Sequence, residues 1–284
     1  MSNFEKVSSL GQQIAEPEET DTGTNFRVSI DSDGVSVPVL LHLKRASRTQ
    51  QLVVTYNGAV SRSKAPDGVV FQRSSWLDDF STDVIQISDP SLTEHRRLAL
   101  GWGQFRKDKW AYDAYVGVIS LLRDQFGLAG ASATVHYGSS AGGFQALIAS
   151  GKDKGSRALA NNPQVDWSRY VPQFVNSLLR DVFEGDSIDE VRSREPWRLN
   201  AFEFYKQIEF VPKVEMMFNA GSAGDFTAQI QPVISELQSM HVLSNTPNIS
   251  LTFYHHEPSG HNPLSRAATI KAIESHVRAI RTES

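Results

Sequence analysis

The residues with the clearest chemical meaning are Gly138-Ser139-Ser140-Ala141-Gly142, a G-x-S-x-G motif. It lies between a predicted strand, ATVHYG at 133–138, and a predicted helix, GGFQALIAS at 142–150. A sharp strand-to-helix turn would expose the Ser140 hydroxyl above a sheet and leave the Ala141 N–H free to stabilise an oxyanion. The alternative is a Gly/Ser-rich turn or a phosphate-binding loop, although no Walker lysine follows the glycines. This context favours a serine nucleophile.

A serine nucleophile needs a histidine to take its proton. His261 is the best candidate because it follows Gly260 in the loop PSGHNP, directly before the last predicted helix. His255 and His256 compete with it at the end of a strand, whereas His136, inside the strand before the motif, is predicted to be a core residue. His255, His256, Glu257 and His261 have a loose metal-ligand spacing, but there is no helical H-E-x-x-H motif, so a metal site is disfavoured.

A carboxylate should hold the tautomer of that histidine, and Asp225 is the first candidate. It follows the predicted strand VEMMFNAG at 214–221 and precedes a predicted helix at 227–240. An aspartate at this position could equally cap a helix that begins near Thr227. Asp166 and Asp186 are weaker candidates, because one follows the preceding strand and the other lies in an insertion.

A second oxyanion donor should come from the loop after the predicted strand QLVVTYNG at 51–58. The segment Asn57-Gly58-Ala59-Val60 fits, with Gly58 permitting a turn that aims the Ala59 N–H inward. The alternative is an ordinary Asn-Gly turn.

The elements that must position these residues alternate between strands and helices. FRVSI at 26–30 and VSVPVLLHLK at 35–44 are predicted to pair antiparallel at a sheet edge, and a helix is predicted at 112–126. Further strands are predicted at 83–90, 157–163 and 249–256, and the last helix at 263–281. This order predicts an α/β fold with a mostly parallel sheet covered by helices on both faces.

Two segments depart from this alternation. Residues 1–24 are polar, without strand or helix periodicity, and are predicted to be a mobile arm outside a single domain at 25–284. Residues 164–212 show helical patterns at 170–183, 188–192 and 200–208 but no strand, so they are predicted to be a helical insertion. A lid and a rigid structural insertion are both open interpretations.

The composition excludes several classes of protein. The 284 residues contain no cysteine, which removes thiol nucleophiles, thiolate metal sites and disulfides. The net charge of −4 gives no reason to expect a nucleic-acid partner. No stretch is long and apolar enough for a membrane span, and the N-terminus lacks a signal-peptide pattern, so a cytoplasmic location is predicted.

The chain resembles the α/β-hydrolases over about residues 26–281, through the motif GSSAGG and the order Ser140, Asp225, His261. The stretches YNGA, ISDPSL and LGWG resemble a bacterial branch of esterase-like proteins associated with accessory secretion systems and surface glycan modification. That resemblance implies an acyl esterase or deacetylase acting on carbohydrate. The oxyanion motif HGGG of lipases is absent, which argues against long-chain lipid substrates.

The function predicted from the sequence is hydrolysis of a small carboxylic or glycan ester through an acyl-Ser140 intermediate, without a metal or organic cofactor. Acyl transfer by the same residues and a non-catalytic, partner-binding role stay open, and the oligomeric state is not defined. Candidate substrate-binding residues are Gly58, Ser139, Trp102, Trp167 and Tyr170, with Phe105 and Phe174 as further aromatic candidates. Aromatic residues at such spacings are also common in a core.

Overall fold

A computed structural model describes residues 2–45, 50–240 and 248–283. In these ranges one sheet has the strand order β1-β2-β3-β5-β4-β6-β7-β8-β9. The strands are β1 Gln12–Glu19, β2 Gly23–Ser32, β3 Val35–Lys44, β4 Leu52–Tyr56, β5 Asp83–Ile87, β6 Thr134–Ser139, β7 Arg157–Asn161, β8 Lys213–Asn219 and β9 Ile249–Tyr254. Strands β1, β2, β3 and β5 pair antiparallel, and those from β5 through β4 to β9 pair parallel.

Helices cover both faces of this sheet. They are α1 Asn3–Leu10, α2 Ser91–Glu94, α3 Tyr112–Phe126, α4 Ala141–Lys152, α5 Pro172–Asp181, α6 Ile188–Arg194, α7 Pro196–Leu199, α8 Ala201–Gln207, α9 Ala223–Asp225, α10 Gln231–Ser239 and α11 Arg266–Glu283. Helices α3 and α4 pack on one face within the larger core, and α11 packs on the other through Ile273, Val277 and Ile280. The predicted α/β class, with a mostly parallel sheet between helices, is confirmed.

The burial of the central strands explains why the sequence predicted a mostly parallel sheet. Every residue of β4 and β6 is buried, and a parallel strand covered on both faces needs a nearly continuous apolar run. Strand β9 is instead only partly buried, as expected for the last strand of the sheet. No helix in the described ranges has the length and apolar character that a membrane crossing requires.

The prediction of a mobile arm at 1–24 is wrong for the described part, residues 2–24. Helix α1 begins with a capping box, in which Ser2 Oγ accepts the Glu5 N–H, and its Val7 side chain is buried. Strand β1 pairs with β2, so β2 and β3 are not the sheet edge that the sequence predicted. The side chains of β1 are mostly exposed and its register is interrupted, so no alternation of apolar residues marks it as a strand.

The insertion at 164–212 contains α5 to α8 and a short 3-10 turn, Trp167–Arg169, between β7 and β8. Its aromatic residues Trp167, Phe183, Phe202 and Phe204 are buried in the larger core. The segment therefore packs on the body of the fold over much of its length. After β8, the predicted helix at 227–240 begins earlier, with α9 and a π-helical turn, Phe226–Ile230, before α10.

Candidate active site

Ser140 lies at the sharp turn between β6 and α4. Its backbone has φ 56° and ψ −125°, a conformation that costs about 1–3 kcal/mol for a residue with a side chain. The turn is held because Ser140 N–H donates to Asn161 O at 3.1 Å and Gly143 N–H donates to Ser140 O at 3.0 Å. A Cβ on Gly138 would overlap the Gly142 carbonyl, so this close strand-to-helix approach requires glycine.

The structure brings Ser140, His261 and Asp225 together. His261 Nε2 lies 2.7 Å from Ser140 Oγ, and His261 Nδ1 lies 2.8 Å from each carboxylate oxygen of Asp225. An ionised carboxylate can only accept hydrogen bonds, so Nδ1 carries the proton and Nε2 is free to accept from the serine hydroxyl. This arrangement permits proton transfer from Ser140 to His261.

Asp225 ends the short helix α9 and is 7% exposed. It makes no capping hydrogen bond with the following helical turn, so the N-cap alternative does not describe it. The other two candidate acids lie elsewhere: Asp166 pairs with Arg169 and Arg192, and Asp186 pairs with Lys107 and Arg194.

Two buried asparagines hold the loop that carries His261. Asn219, the last residue of β8, donates through Nδ2 to the carbonyls of His256 and Gly260 at 2.8 Å each. Asn162 follows β7 and donates to His261 O at 3.2 Å. Gly260 has φ 50°, a left-handed conformation that glycine adopts without strain. The loop is thus fixed to the carboxyl ends of two strands.

The other candidate histidines do not reach Ser140. His255 and His256 are exposed, and His256 Nδ1 contacts Ser259 Oγ. His136 is buried between Tyr56 OH at 2.8 Å and Asp153 Oδ2 at 3.0 Å, as expected for a core residue. Among the described residues, no group of three or more His, Asp or Glu side chains could hold a metal ion.

Gln164 is a site residue that the sequence analysis missed. Its Nε2 lies 2.9 Å from Ser140 Oγ, and its Oε1 lies 2.6 Å from Trp102 Nε1. Its position in the sequence could have identified it, because it follows the predicted strand at 157–163. The carboxyl end of that strand lies next to the carboxyl end of the strand before Ser140. Trp102 therefore lies behind Gln164 and not in contact with an open pocket.

The two predicted oxyanion donors flank Ser140. Ala141 is the first residue of α4, so its N–H has no acceptor within the helix. No hydrogen bond between described residues uses the Ala59 N–H. The Gly58 N–H donates to Gln72 Oε1 at 2.9 Å, and Gln72 Nε2 donates to Ala59 O at 2.7 Å, which fixes this loop. Gly58 is not in the left-handed region and a Cβ would fit there, so this turn does not depend on glycine.

A cavity of about 360 Å³ opens beside Ser140. The predicted residues that line it are Gly58, Ala59, Ser139, Ser140, Tyr170 and His261, and those not foreseen are Gln72, Arg73, Trp76, Asn262 and Pro263. The Tyr170 ring lies 5.6 Å from the His261 ring. Burial, and then the nearby charge of Asp225, raise the pKa of Tyr170 above its ordinary value.

Three of the predicted aromatic residues belong to the core. Trp102 and Trp167 are fully buried and stack at 5.4 Å, and Phe105 is also buried. None of them lines the cavity, and Phe174 contributes only by stacking on Tyr170 at 5.9 Å. Residue type alone does not distinguish an aromatic pocket from an aromatic core, which is why the prediction for these residues is wrong.

No protein-family model and no curated protein matches the sequence. Solved structures do match it. The capsule O-acetyltransferase of Neisseria meningitidis serogroup A is 13% identical with a TM-score of 0.65, covering 96% of this chain and 99% of its own. An S-formylglutathione hydrolase from Agrobacterium tumefaciens is 13% identical, with a TM-score of 0.61 and coverages of 95% and 98%.

Acetyl xylan esterase 1 from Thermoanaerobacterium is 8% identical, with a TM-score of 0.60, and covers 97% of this chain and 91% of its own. At these identities the likeness defines the fold and nothing finer. The chain has the α/β-hydrolase fold.

Proposed function

We propose that this protein is a serine hydrolase that cleaves a small carboxylic ester. The observation that carries the proposal is the chain of contacts from Ser140 Oγ to His261 Nε2 and from His261 Nδ1 to Asp225. The strained turn that presents Ser140 supports the same role, since such strain is concentrated at functional sites.

In the proposed acylation step, Ser140 Oγ attacks the ester carbonyl carbon as its proton passes to His261 Nε2. The Ala141 and Ala59 N–H groups stabilise the negative charge on the carbonyl oxygen. The bond to the alcohol then breaks, and His261 gives its proton to the departing oxygen. Asp225 holds the Nδ1–H tautomer and stabilises the imidazolium, leaving acyl-Ser140.

In deacylation, His261 takes a proton from a water molecule that attacks the acyl carbon, and the proton returns to Ser140 Oγ as the acid leaves. The nucleophile, the base and the oxyanion donors all belong to the chain. The proposed reaction therefore requires neither a metal nor an organic cofactor.

The substrate class is a further part of the proposal. The cavity of about 360 Å³ suits a short acyl group or one sugar unit, and Tyr170 forms part of its wall. Two of the matched structures are named for acetyl groups on polysaccharide, a capsule O-acetyltransferase and an acetyl xylan esterase, which supports an O-acyl carbohydrate. The resemblance to the accessory-secretion branch and the cytoplasmic location stay predictions.

Acyl transfer is the second candidate, and the match to an O-acetyltransferase favours it. A sugar hydroxyl would replace water in deacylation, and His261 would take its proton in the same way. Product analysis with a competing alcohol separates the two: an acylated alcohol supports transfer, and free acid alone supports hydrolysis.

The insertion at 164–212 is proposed to be a rigid part of the fold beside this cavity. Its contribution to the wall is Tyr170, which precedes α5, while the aromatic residues behind it are buried in the core. That packing favours the structural interpretation of the insertion over a mobile lid.

The test is covalent labelling with a fluorophosphonate probe, followed by intact mass and peptide mapping. We expect one adduct on Ser140 and turnover of p-nitrophenyl acetate, and both should be lost in Ser140→Ala. Ser177→Ala, on the exposed face of α5, is the matched control and should keep both. A folded wild-type protein without label or turnover would contradict the proposal and support the non-catalytic, partner-binding role.

A further inference from the structure

Arg73 is a buried cation in the wall of the cavity beside Ser140. It directly precedes the 3-10 turn Ser74–Asp79 and is 5% exposed. Its Nη2 donates to Ser139 Oγ at 2.8 Å, and its Nη1 lies 3.5 Å from Tyr56 O. Its Nε is buried and has no hydrogen-bond partner among the described residues. A guanidinium has five N–H donors, so most of those on Arg73 are unused.

The charge of Arg73 is also unbalanced. No described carboxylate forms an ion pair with it, in contrast to the partly buried Arg123, which pairs with Asp153 at 2.7 Å. Arg198 is 3% exposed, and its guanidinium donates to the carbonyls of Gln104, Arg106 and Lys107. Burying a charge is unfavourable unless it is paired and hydrogen-bonded, so a bound anion would stabilise the guanidinium of Arg73.

Aromatic rings hold the guanidinium in place. Its central carbon lies 5.4 Å from the centre of the Trp76 ring and 4.9 Å from that of Tyr137. These cation–π contacts stabilise the cation and limit its freedom to swing toward solvent. They contribute no hydrogen-bond acceptor, so the N–H groups that Ser139 and Tyr56 leave unused have no partner among the described residues.

We infer that the ester taken by this site carries a carboxylate or phosphate group that binds Arg73. This inference rests on the proposed function and adds the charge of the substrate. Ser139 directly precedes Ser140, and its hydroxyl accepts a hydrogen bond from Arg73. An anion bound to Arg73 and the ester carbonyl at Ser140 would therefore share one cavity. A guanidinium suits both groups, because it presents parallel N–H donors to two oxygens.

Matched esters test the inference and show which side of the ester carries the anion. On the acyl side, p-nitrophenyl hemiglutarate is compared with the neutral p-nitrophenyl pentanoate. On the alcohol side, 4-acetoxybenzoate and 4-acetoxyphenyl phosphate are compared with methyl 4-acetoxybenzoate. On one side of the ester, we expect kcat/KM for the anionic ester to exceed that for its neutral partner by about tenfold or more. Such a ratio corresponds to the free energy of about one hydrogen bond to a charged group.

Variants then assign the preference to Arg73. Arg73→Gln should reduce the ratio of kcat/KM for the anionic ester to kcat/KM for the neutral ester by about tenfold or more. Arg73→Lys should keep part of this preference. The control is Arg180→Gln, an exposed arginine that pairs with Asp181, which should leave the ratio unchanged. Added salt should reduce the ratio only weakly, because a buried pair is poorly screened.

The wild-type protein gives an answer that does not depend on folding of the variants. We expect glutarate, 4-hydroxybenzoate or inorganic phosphate to inhibit hydrolysis of p-nitrophenyl acetate competitively, and neutral methyl 4-hydroxybenzoate to inhibit less. Labelled, active wild-type protein with equal rates on all matched esters would overturn this inference and leave the proposed function intact. Failure of labelling would instead count against the proposed function.

Discussion

Trp102 determines which end of the Gln164 side chain faces Ser140. The Trp102 indole N–H donates to Gln164 Oε1 at 2.6 Å, and an indole can only donate. The amide Nε2 must therefore point to Ser140 Oγ, 2.9 Å away, and donate to it. With that acceptor position occupied, the hydroxyl proton of Ser140 is directed to His261 Nε2.

The first prediction removes this indole donor. We expect Trp102→Phe to lower kcat for p-nitrophenyl acetate by about tenfold and stability by about 1–3 kcal/mol, because Gln164 Oε1 loses its partner. Trp167→Phe is the matched control, since its equally buried N–H donates to Arg198 O at 2.7 Å. It should lose stability but not kcat. Equal kcat values for the two variants would show that Trp102 does not orient Gln164.

The second prediction concerns the acid. Asp225→Asn should depress kcat about 10³- to 10⁴-fold with the fold retained, because an amide donor facing Nδ1 favours the wrong tautomer of His261. The control Asp186→Asn alters a carboxylate that pairs with Lys107 and Arg194 and should leave kcat unchanged. Steady-state kinetics and thermal unfolding measure both effects. The assignment of Asp225 is wrong if the two variants turn over equally.

The third prediction concerns the support of the His261 loop. Asn219 donates to two loop carbonyls and accepts the His256 and Gly221 N–H groups through Oδ1, at 2.9 and 3.0 Å. Asn219→Ala should cost about 2 kcal/mol or more and slow fluorophosphonate labelling of Ser140. Asn248→Ala, which loses a hydrogen bond to Val211 O, should reduce stability without slowing labelling. Unchanged labelling in Asn219→Ala would mean that the loop is held by other contacts.

The fourth prediction concerns the turn at Ser140. Gly138→Ala should be insoluble or destabilised by at least about 3 kcal/mol, because its Cβ would overlap the Gly142 carbonyl. Gly130→Ala is the control, since a Cβ there has no neighbour within 4 Å and φ is −69°. Denaturant unfolding compares the two. A stable, active Gly138→Ala would require a different backbone path at the turn.

The fifth prediction is a pH dependence of stability. Burial, and then the charge of Lys44, lower the pKa of His42 from 6.5 to about 4, with Asp78 opposing the shift. Between these values the unfolded chain binds a proton that the folded chain does not, so stability falls as the pH decreases from 6.5 to about 4. Below that range both states are protonated and this contribution to the slope ends.

Urea unfolding of wild-type protein and His42→Gln across this range isolates the effect, since carboxylates titrate in both. The variant should lose stability less steeply as the pH falls, while His255→Gln, at an exposed position, should follow the wild type. Parallel curves for wild type and His42→Gln would contradict the shifted pKa.

The sequence predicted the parts of the site where few residue types fit the local backbone. The small residues around Ser140 predict a tight turn, and a strand followed by a loop places Asp225 and His261 at one edge of a parallel sheet. Gln164 and Arg73 were missed because each reaches the site through packing between distant segments. Gln164 is oriented by Trp102, and Arg73 lies between β4 and β5 with no periodic pattern to place it.

The same limit explains the wrong predictions. Trp102 and Trp167 are large aromatic residues near the site in sequence, but only three-dimensional packing decides that they stack on each other and leave the cavity wall to Tyr170 and Trp76. Strand β1 has exposed side chains and is stabilised by backbone pairing with β2, which leaves no hydrophobic signature.

The asparagine anchors have a consequence for how this scaffold could diversify. Asn162 and Asn219 tie the loop that carries His261 to β7 and β8 through its backbone carbonyls, so its geometry depends on two strands of the sheet. Side chains elsewhere in this loop could therefore change while the carbonyls of His256, Gly260 and His261 kept their hydrogen bonds. Variation in the sequence of the loop would then leave the position of the imidazole intact.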